Sequence, residues 1–233
     1  PSIKIAATGQ HANALPEENI KENEGLIDYV LVGEYEFTGL EVANGKREDG
    51  SPLIPIMRNL TQHDINSIPW PARELFDMSK YNDTFCDNYP NMHLLFSRGC
   101  FFSCNYCNIH LSNDGIRKQR VRNVHDVIEE MKFCVEKYHP KEFWIEDDIF
   151  NGSEEKVREF CRIKIQEGVT TPFSALCHAK IQRDTLEMMK MAGCTGIKFG
   201  VESADHEVLL RLKKGLTMDM VKKTLINCKD LGM

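Results

Sequence analysis

Hydrophobic positions along this 233-residue chain alternate between short continuous runs and stretches with helical spacing, and the rhythm is most regular after residue 93. The run His93-Leu94-Leu95-Phe96-Ser97 predicts a strand that leads into Arg98-Gly99-Cys100. Asn123 is a good helix N-cap, and Val124, Val127, Ile128, Met131, Val135 and Tyr138 follow on one helical face. Glu142-Phe143-Trp144-Ile145 predicts a second strand, closed by Glu146-Asp147-Asp148. Ser153 caps the next helix, Glu154 and Glu155 suit its first turn, and Gly168 supplies the stop. Pro172 to Cys177 predicts a third strand, after which Asp184 caps a helix carrying Leu186, Met189 and Ala192 and ending at Gly193. Ile197 to Val201 is the fourth strand, followed by Glu202-Ser203, and Thr217 caps a last helix with Val221, Thr224, Leu225, Cys228 and Leu231.

Four strand–helix units in series imply parallel strands, right-handed crossovers and outer helices. Such a series forms either an open doubly wound sheet or part of a barrel, and four units cannot close one. The expectation is a fragment truncated at both ends. Before this region, Ile3 to Ala7 and Asp28 to Val32 read as strands flanking a short helix with Pro16 at its first position and Glu17 and Glu18 in its first turn. That is the grammar of an α/β domain. Between about Glu41 and Pro90 the pattern dissolves into turn signals, Asn44-Gly45, Asp49-Gly50, Pro52, Pro55 and Pro69-Trp70-Pro71. The expected division is therefore residues 1–42, a linker over 43–90, and the repeating region over 91–233.

Composition narrows the function classes. Hydrophobic residues make up 42% and charged residues 27%, with a net charge of −6, a soluble balance. No apolar run approaches the roughly 20 residues of a membrane span, and no leader pattern opens the chain, so a cytoplasmic protein is expected. No basic stripe marks a nucleic-acid groove. Arg117, Lys118, Arg120 and Arg122 form the densest basic patch, read as a solvated loop able to meet a phosphate or carboxylate. Of nine cysteines, Cys86, Cys134, Cys161, Cys177, Cys194 and Cys228 stand alone and read as small buried hydrophobes.

The other three form Cys100-x3-Cys104-x2-Cys107 directly after a strand. Thiolates are soft ligands that suit zinc or iron–sulfur centres. His110 could complete a Cys3His zinc site in a metal-stabilised binding module. An iron–sulfur cubane held by three thiolates instead leaves one iron open to an exogenous ligand. In parallel β/α folds chemistry gathers at the carboxyl ends of the strands, where this motif lies.

Ser97-Arg98-Gly99-Cys100-x3-Cys104-x-Tyr106-Cys107 resembles the cluster loop of radical S-adenosylmethionine (SAM) enzymes. Trp144 to Phe150, Met189 to Cys194 and Gly200-Val201-Glu202-Ser203 resemble later segments of the same family in the same order, so the likeness spans about residues 93–233. Thr8-Gly9-Gln10-His11-Ala12 and Asp28 to Glu36 are similar to the end of the cobalamin-binding domain that often precedes this barrel, although relatives usually show two glycines at Thr8-Gly9 and Gly-Glu-Gly-Glu at Gly33 to Glu36. The Asp-x-His-x-x-Gly cobalamin-ligand motif is absent. The resemblance implies an α/β protein: the tail of a Rossmann-like cobalamin-binding domain, then about four units of a partial parallel (β/α) barrel.

The resemblance further implies a [4Fe–4S] cluster on Cys100, Cys104 and Cys107, with SAM on the fourth iron and cleaved reductively to a 5′-deoxyadenosyl radical. Tyr106 would lie along the adenine, Asp147 and Asp148 would face the SAM ammonium, Glu202 the ribose or methionyl amine, and Ser203 would assist. His178, closing the third strand, reads as a satisfied structural histidine. A reductant such as flavodoxin or ferredoxin is implied. The activity would be methyl transfer or cyclisation on a small-molecule or peptide substrate, with a methylthiotransferase as the neighbouring alternative.

Overall fold

The computed structural model describes residues 3–59, 63–112 and 117–233. It contains two compact units, one of Pro1–Ile68 with Tyr106–Arg117, the other of Pro69–Asn105 with Lys118–Met233. The first unit holds a parallel sheet in the order β1-β2-β3, with β1 at Ala6–Ala7, β2 at Tyr29–Val32 and β3 at Ile56–Arg58. Helices α1 (Gln10–Ala14) and α2 (Pro16–Glu22) cross from β1 to β2, and α3 (Tyr35–Asn44) crosses to β3. Ala12, Val30 and Val32 form its small core, with Ile20, Ile27 and Ile56 packed against them. Short helix α4 (Ile109–Ser112) belongs to this unit, where Asn108 Nδ2 donates to Gln10 Oε1 at 3.0 Å.

Residues 43–90, expected to be a linker, contain β3, which pairs with β2 through Val30↔Ile56, Leu31↔Met57 and Val32↔Arg58. Three residues directly after Pro55 are too short to show a period of two, so the strand is hidden in the sequence. Helix α3 was hidden likewise, because only Thr38 along it is buried.

The second unit carries the repeating pattern. Strand β4 (Asn91–Leu94) is followed by a two-residue ribbon, β5 (Ser97–Arg98) paired antiparallel with β6 (Arg120–Val121). The main sheet continues with β7 (Glu142–Ile145), β8 (Phe173–Cys177) and β9 (Cys194–Phe199), in the order β4-β7-β8-β9 and parallel throughout. Helices α5 (Val124–Tyr138), α6 (Glu154–Gln166), α7 (Arg183–Met191), α8 (His206–Arg211) and α9 (Met218–Asp230) connect or follow the strands. Met92, Leu94, Phe143, Ile145, Phe173 and Ala175 meet Val127, Ile128, Met131, Val157, Phe160, Leu186 and Met189 in one buried core. Each such side chain contributes roughly 1.5–3 kcal/mol when fully buried, so this face, rather than helix propensity, holds the helices down.

Capping follows the sequence with one exception. Asn123, Ser153 and Thr217 accept from the backbone N–H of His125, Lys156 and Met220. Helix α7, however, begins at Arg183 with Gln182 at its cap. Asp184 lies inside the first turn, its Oδ1 accepting from Thr185 N at 2.8 Å.

Two further expectations change. The first strand of the main sheet stops at Leu94 rather than Ser97, because the backbone N–H groups of Phe96 and Ser97 turn to Asp147 Oδ1, at 2.8 and 2.9 Å. Arg122 is not a solvated loop residue: it is buried, with Nη1 2.6 Å from Glu130 and donating to Leu95 O at 2.7 Å. Arg73 lies 2.7 Å from the same Glu130 and donates to His93 O at 3.0 Å, which covers a carbonyl on the outer edge of β4.

Candidate cofactor-binding site

Strand alternation sends Asn91, His93, Glu142, Trp144 and Ser174 to the face opposite the helices. At the amino end of that face Glu142 is completely buried. Its carboxylate accepts from Asp87 N, Asn88 N, Asn88 Nδ2, Thr195 Oγ1 and Ser174 Oγ. Burial would raise its pKa, but the hydrogen bonds from Ser174, Asn88 and Thr195 outweigh it and hold the group below the usual carboxylate range. This end of the sheet is sealed.

The carboxyl ends hold the residues singled out in the sequence. Asp147, two positions past β7, is buried and accepts from Phe96 N, Ser97 N and Ser97 Oγ. Burial pushes its pKa up to about 7; the hydrogen bonds from Ser97 and Phe96 oppose the rise, and the charge of Asp148 adds to it. Asp148 Oδ2 accepts from Gly99 N at 2.7 Å. Both carboxylates thus grip the base of the cysteine loop. Gln119, which no sequence signal marked, donates to Ser97 Oγ at 2.8 Å and to Ile149 O at 2.6 Å. Its trace is Gly152, where a Cβ would lie 2.2 Å from Gln119 Oε1.

Beyond β9, Glu202 adopts φ 71°, a left-handed conformation unusual for a residue with a side chain. Lys214 Nζ lies 3.1 Å from its Oε1. Two residues earlier, Gly200 leaves room for that carboxylate, since a Cβ there would come within 2.7 Å of the same oxygen. Such backbone strain gathers at ligand sites. Ser203 Oγ accepts from Asp205 N at 3.0 Å, so this hydroxyl supports the turn into α8. His178, after β8, stacks on Phe102 with ring centroids 4.2 Å apart.

The nine cysteines divide sharply. Cys100 and Cys104 are half-buried and Cys107 is exposed, whereas the other six are buried. Burial pushes the thiols of Cys86 and Cys161 up to about 12 and Cys134 up to about 11, and raises Cys177, Cys194 and Cys228 as well. A buried thiol so protonated is a poor metal ligand. Cys100, Cys104 and Cys107 are the accessible thiols among the nine, and accessible soft thiolates are the donor chemistry that an iron–sulfur cluster takes. Cys107 lies in the first unit with Tyr106, which is 48% exposed, and with His110, while Cys100 and Cys104 lie in the second.

Among the described residues, Asp83, His93 and Glu146 bring three potential ligand atoms within 4.8 Å of one another. His93 Nδ1 faces Glu146 at 3.1 Å and Nε2 faces Asp83 at 3.5 Å. The two ring nitrogens turn to different carboxylates, so His93 bridges Glu146 and Asp83 rather than joining them around one ion. The hydrogen bond to Glu146 raises the His93 pKa and lowers that of Glu146.

Comparison with known proteins supplies independent findings. The chain is 28% identical over 252 residues to an uncharacterized methyltransferase of Pyrococcus horikoshii, covering 100% of this chain and 52% of that protein. It is 24% identical over 277 residues to cytidylyl-2-hydroxyethylphosphonate methyltransferase of Streptomyces wedmorensis, covering 100% and 51%. The chain therefore spans about half the length of these curated relatives. Among solved structures, the cobalamin-dependent S-adenosylmethionine radical enzyme OxsB matches with a TM-score of 0.74 at 18% identity, over 98% of this chain and 35% of that one. The radical S-adenosylmethionine methyltransferase TsrM from Kitasatospora setae matches at 0.71 and 15%, over 99% and 48%. These structural likenesses establish the fold, a parallel α/β architecture of the radical SAM type. The family model of the radical SAM superfamily matches residues 94–233, more than half of the sequence, and the chain belongs to that superfamily.

Proposed function

We propose that the protein is a radical SAM enzyme of the cobalamin-associated group and that the whole protein transfers a methyl group. The observation that carries the reading is the contrast among the cysteines: Cys100, Cys104 and Cys107 are the accessible thiols, and the remaining six are packed away. These three would hold a [4Fe–4S] cluster. When bound and reduced, that cluster supplies the electron that breaks the sulfonium C–S bond of SAM, giving methionine and a 5′-deoxyadenosyl radical. Asp147 and Asp148 fix the base of the loop, and Glu202 offers carboxylate oxygens to the hydroxyl or amino groups of SAM. The assignment to methyl transfer, and to cobalamin as a partner cofactor, is supported by the methyltransferase relatives and by OxsB and TsrM, which carry those descriptions. A flavodoxin- or ferredoxin-type protein would deliver the electron. Among the described residues, no helix is long and apolar enough to cross a membrane.

Anaerobic reconstitution tests the reading. The chain should take up about four irons and four sulfides and develop a broad charge-transfer absorption. Added SAM and dithionite should then release 5′-deoxyadenosine. Uptake of one zinc without sulfide would overturn the proposal.

A further inference from the structure

The stretch from Gly99 to Asn105, which carries Cys100 and Cys104, is held at three points. At its start, Gly99 N donates to Asp148 Oδ2 at 2.7 Å. At its end, Asn105 N donates to Leu212 O at 3.2 Å and Asn105 Nδ2 to Arg211 O at 2.8 Å. Those carbonyls terminate α8 and have no partner within the helix. The middle anchor is Phe102, whose ring lies on that of His178 at 4.2 Å with 16° between the planes.

His178 is more than filler beneath that ring. It is 8% exposed, and both its ring nitrogens are engaged. Nδ1 accepts from Lys180 N at 3.3 Å. A nitrogen that accepts carries no proton, so Nε2 is the protonated one and donates to Lys214 O at 3.2 Å. Two bonds at opposite corners fix the rotation of the imidazole, and with it the plane offered to Phe102. The backbone of His178 is fixed as well: its N–H donates to Asn151 Oδ1 at 2.7 Å and its carbonyl accepts from Asn151 Nδ2 at 3.0 Å. Gly215 closes the other side, its φ of 68° bringing the α8–α9 connection to where a Cβ would touch the Phe102 ring at 3.7 Å. A leucine or phenylalanine at 178 would fill the same volume without setting this orientation.

We propose that His178 is a positioning residue for the cluster, acting through Phe102 to hold in place the stretch that carries Cys100 and Cys104. The inference rests on reading the loop as a cluster site. Groups that orient metal ligands typically change metal affinity by about 10–100-fold when removed.

The test compares wild type with Phe102→Ala, His178→Ala and His178→Phe after anaerobic reconstitution. The readouts are iron and sulfide per chain, the rate of cluster bleaching by an iron chelator, and the electron paramagnetic resonance spectrum of the reduced cluster with and without SAM. Circular dichroism monitors the fold. Phe102→Ala, on a half-buried loop, should keep the wild-type dichroism yet bleach about tenfold faster and give a broadened spectrum that responds weakly to SAM. His178→Phe, which restores a flat ring without its hydrogen bonds, should fall between wild type and His178→Ala. A folded Phe102→Ala protein with wild-type bleaching and a wild-type response to SAM overturns the inference, whatever His178→Ala does to folding. A wild-type chain that binds no iron–sulfur cluster overturns the reading of the loop itself, and the inference with it.

Discussion

Glu142 opens strand β7 and Asp147 follows two residues after its end, yet the sheet treats these two buried carboxylates in opposite ways. Glu142 receives donors from the 87–88 turn, β8 and β9, and is held ionised, below the usual carboxylate range. Asp147 receives two backbone N–H groups and one hydroxyl, has Asp148 beside it, and is pushed up to about 7. The amino end of the sheet uses its charge to lock the fold. The carboxyl end keeps a carboxyl group that changes protonation near neutrality beside the base of the cysteine loop. The length of one strand separates the two opposite shifts.

The largest effect expected from breaking this contrast is at the locked end. Glu142→Ala leaves the N–H groups of Asp87 and Asn88 without an acceptor and should cost roughly 3 kcal/mol or more, read as a fall in the urea midpoint. Asp147→Asn should move stability the other way, with a sign set by pH. The folded-state pKa of Asp147 lies above its unfolded value, so the stability it contributes is present below about pH 4 and is lost as pH rises to about 7. The asparagine still accepts from Phe96 and Ser97 but never ionises. Its advantage over wild type should therefore grow between pH 5 and pH 8 by on the order of a few kcal/mol. An unchanged difference across that range would erase the contrast. Smallest is Glu146→Gln, which removes one of the two anions around His93. Because the folded pKa of His93 is raised, this contribution is present below about pH 6 and fades as pH rises. Half-exposed partners limit it to about 0.5–1 kcal/mol, visible as a stability difference at pH 5.5 that vanishes by pH 9.

Much of this was legible in the sequence where periodicity or capping speaks. The four main strands, the caps Asn123, Ser153 and Thr217, the buried character of the six isolated cysteines, and the placement of Asp147, Asp148 and Glu202 past strand ends all follow from local pattern. What stayed hidden depends on tertiary partners. Ser97 reads as strand, and leaves the main sheet only because Asp147, 50 residues later, captures its N–H. Arg122 reads as one of a solvated basic group and is buried because Glu130 lies eight residues on, shared with Arg73. Strand β3 carries too few residues for a period. His178 reads as a structural histidine, and its stack on Phe102 joins segments with no sequence signal between them.

The β5–β6 ribbon has a consequence of its own. By pairing Ser97 with Val121 and Arg98 with Arg120, it brings the polypeptide back to the point from which the cysteine loop departs. The root of the loop is thereby fixed by main-chain pairing that uses no cysteine side chain.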